Sequence, residues 1–149
     1  MTRHLLINVH LFAVIAWIGG MYFAYFCLRP AAVETLAPPQ RLPLWSATFA
    51  RFLPMMAVAV ALLLASGYTM LLQVGFAAAP VSWHIMATLG TIMAIVFAYV
   101  WLGLYPKLVA GCAAQAWPAA GEALNGIRKL VAVNLVLGAG TIIAALWLR

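Results

Sequence analysis

The sequence predicts an all-α integral membrane protein, a four-helix transmembrane bundle. Three observations predict it. Of 149 residues 68% are hydrophobic and 7% charged, where an ordinary soluble domain carries about a quarter charged residues. Four stretches have the roughly 20 mostly apolar residues that cross a hydrocarbon core of about 30 Å. None shows the alternation of a membrane β-strand, which would have to close into a barrel.

The first stretch, Leu5 to Leu28, is too long for the apolar region of a signal peptide. Its aromatic end, Tyr22 to Phe26, argues for a retained span. Pro30, Pro38, Pro39 and Pro43 follow, and they predict a short extended connection before helix restarts near Leu44 or Trp45. The second span is expected over Phe52 to Val74 and the third over Trp83 to Tyr105, joined by a tight hairpin of small residues around Gly75 to Ser82. Trp117-Pro118, with Glu122, Asn125 and Arg128 behind it, predicts a helix that starts at Pro118 and runs unbroken into the fourth span, Leu130 to Leu148. Residues 1–149 therefore read as a single four-span domain.

Four spans place Arg3 and Arg149 on one side and Arg29, Arg41, Arg51, Lys107, Arg128 and Lys129 on the other. Two basic residues against six puts the basic side in the cytoplasm, so both termini are expected on the periplasmic side. The net charge of +6 is scattered over loop ends, which argues against nucleic acid as a partner and for a role in topology. Cys27 and Cys112 fall on the reducing side and neither sits in a CxxC pair, so a disulfide, zinc or thiol exchange is not expected.

Ionisable side chains within spans are costly and usually functional. The candidates are His10, about five residues into the first span, and His84, near the start of the third. Odd-numbered spans run the same way, so both imidazoles belong to one leaflet at similar depth. If their helices are neighbours, about 8–10 Å apart, they could converge on one metal ion or flank one haem. His10, Ala13 or Val14, Trp17 and Gly20 or Met21 form one stripe; His84, Thr88, Thr91 and Ile95 form another. Met70 and Met86 would make a mixed imidazole and thioether copper site conceivable, against the plain alternative that they fill the core. Each histidine also has a plain reading, hydrogen-bonding water or a carbonyl near the interface, and His4 reads as solvated. Arg51 reads as a snorkelling side chain, with anion or haem propionate binding a minor option. Asn134 reads as interhelical glue, and Gly19-Gly20, Ser66-Gly67, Gly138 and Gly140 as packing positions. The spans hold no Asp or Glu, which excludes a carboxylate proton relay, and no Ser, His and acid set for hydrolysis is available.

Several segments together resemble the CopD, or copper-resistance D domain, family of small bacterial inner-membrane proteins. They are His10 with Trp17-Ile18-Gly19-Gly20-Met21-Tyr22-Phe23, Leu28-Arg29-Pro30, Arg51-Phe52, Ser66-Gly67-Tyr68, Trp83-His84-Ile85-Met86, Tyr105-Pro106-Lys107-Leu108, Ala116-Trp117-Pro118-Ala119, Ile127-Arg128 and Asn134 to Gly138. The resemblance implies a multi-pass helical bundle of the bacterial inner membrane associated with copper, with histidines in the first and third spans, matched by His10 and His84. A further histidine common in the middle of the family's third span is replaced here by Tyr99. The HemJ type of protoporphyrinogen oxidase is a more distant resemblance. It implies four spans, an early histidine and b-type haem, but the lysine expected near Met86 is missing.

The leading expectation is a membrane protein whose His10 and His84 hold copper or b-type haem near the periplasmic face. Its role would be copper homeostasis or electron transfer, with quinone or a periplasmic copper or electron-transfer protein as partner. The rivals are a HemJ-like haem-dependent oxidase of protoporphyrinogen or quinol, and a cofactor-free scaffold or transporter subunit.

Overall fold

The structure is a computed structural model that describes residues 2–148. Among the described residues the chain is helical without strands, in the order α1 (Thr2–Phe23), α2 (Arg29–Thr35), α3 (Pro38–Val74), α4 (Val81–Tyr99), α5 (Tyr105–Ala113) and α6 (Trp117–Trp147). Arg149, counted above toward the sidedness of the chain, lies outside the described residues.

Four helical units are long and apolar enough to cross a membrane: Arg3–Thr35, Pro38–Val74, Val81–Ala113 and Trp117–Trp147. Large apolar side chains stand outward on each of them, such as Phe12, Leu72, Leu102 and Val136, every one at least 73% exposed. That surface needs lipid around it.

The helices run further on the basic side than the expected spans. Where a short extended connection after the first span was expected, α2 continues and only Leu36 and Ala37 are non-helical before α3 begins at Pro38. Pro38 and Pro39 occupy the first turn of α3, where a backbone N–H has no partner to lose. Pro43 forgoes one bond just beyond it, and Pro54 also lies inside the helix.

Pro30 and Pro106 would ordinarily break their helices, because the proline ring strikes the carbonyl four residues back. Each is preceded by one π turn, Ala24–Leu28 and Val100–Leu104, in which the N–H groups of Arg29 and Tyr105 reach back to the carbonyls of Ala24 and Val100. The wider turn accommodates the proline, and the first and third spans share the device at the same end of the bundle.

The expected tight hairpin is present at the opposite end. Gly75 adopts φ +90°, a 3-10 turn covers Phe76–Ala78, and α4 starts at Val81. The helix expected from Pro118 starts at Trp117 and runs unbroken to Trp147.

α1 packs along α3, while α4 and α5 pack along α6. The first and third spans are not side-by-side neighbours. They meet across the middle, where the rings of Trp17 and Phe97 make an edge contact at 6.1 Å. Around it a core of Trp17, Met56, Val60, Met93 and Phe97 extends toward Leu108, Ala120 and Ile127.

Asn134 is buried near the midpoint of α6 and donates from Nδ2 to the Met93 carbonyl at 3.1 Å, joining α6 to α4 as expected of glue. Its Oδ1 has no partner. A membrane interhelical hydrogen bond averages about 0.6 kcal/mol, and the orphaned acceptor offsets it. Asn134→Leu is therefore expected to change unfolding stability in detergent by less than about 1 kcal/mol. A larger loss in a steric-trap or denaturant titration would mean that Oδ1 has a partner in the membrane.

Candidate functional site

The end of the bundle that carries the Gly75 hairpin holds a cavity of about 410 Å³ between α1, α3, α4 and α6. Its lining includes His10, Met70, Met86, Met93, Tyr68 and Trp17. The combination is one imidazole and three thioethers in apolar surroundings, with Arg3 the charged residue of the lining.

The position of His10 follows from the α1 and α3 pairing. Gly67 on α3 has no side chain, and a Cβ there would lie 3.1 Å from His10 Cε1 and 3.5 Å from Nδ1, so the imidazole occupies the space a larger residue would fill. The preceding Ser66 is buried and its Oγ donates to the Leu62 carbonyl at 2.6 Å. His10 Nδ1 lies 3.1 Å from the Leu63 carbonyl and 3.1 Å from Ser66 Oγ. A carbonyl only accepts, so Nδ1 carries the proton and donates. Nε2 is then the nitrogen with the free lone pair, the arrangement in which a second partner orients a metal-binding imidazole.

The rest of the wall is held by a second tie. Thr91 Oγ1 donates to the Ala87 carbonyl at 2.7 Å, which leaves the Tyr68 hydroxyl to donate to Thr91 at 2.7 Å and join α3 to α4. Thr91 of the expected α4 stripe therefore serves the scaffold, while Thr88 is exposed.

His84 is half-buried with its ring 4.4 Å from that of Phe76, in an edge contact at the hairpin. Its neighbours Trp83, Met86 and Ala87 line the His10 cavity, and His84 is not among the lining residues. Met70 and Met86, the thioethers singled out from the sequence, both line the same cavity as His10. Met93 was missed, although it lies two turns beyond Met86 on the same helix face and that spacing could have found it. His4 is exposed, and so is Tyr99.

Arg51 is exposed and folds back to donate to the Ala47 carbonyl of its own helix at 3.0 Å. Cys27 and Cys112 are both free. Among the described residues no three His, Cys, Asp or Glu side chains come together. The donor set at the cavity is accordingly soft, and soft thioether ligands with imidazole suit Cu(I).

No curated protein and no solved structure matches the chain. A protein family does, by the description Copper resistance protein D, CopD, over residues 46–148. The matched segment takes in Met70, His84, Met86 and Met93 and begins after α1, which carries His10.

Proposed function

The chain belongs to the CopD family of copper resistance proteins, and on that premise we propose that this multi-pass membrane protein binds copper as Cu(I) in the cavity around His10. The donors are His10 Nε2 and the thioethers of Met70 and Met86. The observation that carries the reading is the engagement of His10 Nδ1 by Leu63 and Ser66, which leaves Nε2 free on a residue that lines a cavity with three methionines. His84 is an exchangeable donor at the mouth, available once its ring leaves Phe76.

The basic residues of the opposite side orient the molecule in a bacterial inner membrane with its termini and this cavity toward the periplasm. A periplasmic copper protein is then the partner that delivers or takes the ion, in copper homeostasis. Soft donors would hold copper chiefly as Cu(I); were the centre redox-active, a membrane quinone would be its electron-transfer partner.

One observation favours a second reading. Arg3 at the lining is a counter-charge for a carboxylate, and with His10 and one methionine as the residues that would hold it, the same cavity would suit b-type haem.

The test is metal analysis and oxidised and reduced visible spectra of the purified protein, its His10→Ala and His84→Ala variants, and the paired Met70→Leu, Met86→Leu variant. About one Cu(I) per chain is expected. Affinity should fall at least about tenfold in His10→Ala and in the methionine pair, and less in His84→Ala. A Soret band lost in the His10 variant would move the assignment to haem. Neither copper nor a Soret band after reconstitution would leave a cofactor-free scaffold.

A further inference from the structure

The opposite, basic end of the bundle holds a second cavity of about 520 Å³ between the π turn of the first span, α2 and the starts of α3 and α6. Three guanidinium groups from three separate elements line it: Arg29 on α2, Arg41 on α3 and Arg128 on α6. All three are half-buried, and no carboxylate stands with them. The chain's two acidic residues, Glu34 and Glu122, are exposed and outside the lining. Three like charges at one partly desolvated cavity repel one another unless an anion joins them.

The remaining wall is of another kind. Trp45, Phe49 and Phe52 of α3 and Met21 of the first span continue the cavity into the bundle as an apolar surface. Depth sets the ligand class. Arg128 is 19 residues from Trp147 on an unbroken helix, or about 29 Å at 1.5 Å per residue, so it stands at the edge of the hydrocarbon layer. Arg41 is 33 residues from Val74 on α3, or about 50 Å at 1.5 Å per residue, which reaches past the hydrocarbon layer; Arg29 lines the same cavity, as do Trp45 and Trp117, a residue type common at the interface.

We propose that this cavity is a binding site for an anionic phospholipid of the leaflet on the basic side, with Arg29, Arg41 and Arg128 on the phosphate and an acyl chain along Trp45, Phe49 and Phe52. A soluble anion has no use for the aromatic wall, and a neutral lipid or quinone has none for three arginines without a carboxylate partner, Arg29 having only the Tyr25 ring at 5.9 Å. Basic pockets between transmembrane helices are a recurring form of acidic-lipid recognition.

Native mass spectrometry of the full chain released from neutral detergent, titrated with phosphatidylglycerol or phosphatidylcholine of the same acyl chains, tests the site. The wild-type protein is expected to retain phosphatidylglycerol preferentially. Arg29→Gln, Arg41→Gln and Arg128→Gln together should weaken it on the order of fiftyfold. Arg51→Gln and Lys129→Gln, which remove charge at the same end but outside the cavity, should change it by less than about threefold. Equal loss in the control variants would overturn the proposal in favour of diffuse surface charge, and displacement of the lipid by millimolar inorganic phosphate would overturn it in favour of a free-anion site. The wild-type comparison stands even if the triple variant does not fold, because a preference over phosphatidylcholine below about threefold is by itself a negative result.

Discussion

Replacing Gly111 with leucine is expected to separate the third span from the fourth and to cost about 3 kcal/mol or more of stability. A Cβ at this buried glycine would lie 2.9 Å from the Cβ and the backbone N of Ala120, and 3.0 Å from its Cα. Two of these are backbone atoms of α6 and the third is a Cβ fixed to that backbone, so no side-chain rotation relieves the clash and the helices themselves must part. Parting them uncovers Leu108, Ala120 and Ile127, each no more than 1% exposed. Overpacking in general costs about 1–3 kcal/mol, and membrane helices rely on close contact because lipid gives them no hydrophobic drive to associate. Gly111→Ala should lie between the two. Thermal unfolding in detergent reads the effect, and a leucine variant that melts with the wild type would show that α5 and α6 do not approach at this point.

The second large effect is functional. Gly67→Leu is expected to weaken copper binding about 10–100-fold while Met70, Met86 and His10 itself all remain. The leucine side chain needs the space now taken by the His10 ring, whose Cε1 lies 3.1 Å from the position of a Cβ. Displacing the ring breaks its bonds to Leu63 and Ser66 and with them the control over which nitrogen is free. Loss of such an outer partner typically lowers metal affinity about 10–100-fold. The readout is a Cu(I) competition titration, with circular dichroism to confirm the helical fold. Unchanged affinity in a folded variant would place the copper away from His10.

The spans were legible because bilayer thickness dictates their length, and the apolar runs announce it. The ends of the helices were not. Proline is a reliable sign of a broken helix only where the turn before it is α-helical, and the π turns ahead of Pro30 and Pro106 remove that premise without leaving a mark in composition. His10, Met70 and Met86 could be picked out by residue type and depth. The company they keep depends on which helices are neighbours, and composition does not encode that: α1 lies on α3, so His10 is oriented by Ser66 and Leu63 while His84 meets Phe76 edge-on. Arg29, Arg41 and Arg128 were read only for their sign. Their convergence needed the first helix to run on through the π turn into α2, carrying Arg29 to the same cavity as Arg41 and Arg128, which the expected extended linker would not have done.

The two cavities share no lining residue. Trp17 and Met93 line the floor of one and Met21 and Phe52 the inner wall of the other, with the Trp17 and Phe97 rings packed between them. On the proposed reading, an ion beside His10 would have the Trp17 and Phe97 rings between it and the opposite chamber. Onward passage would require those two rings to swing apart.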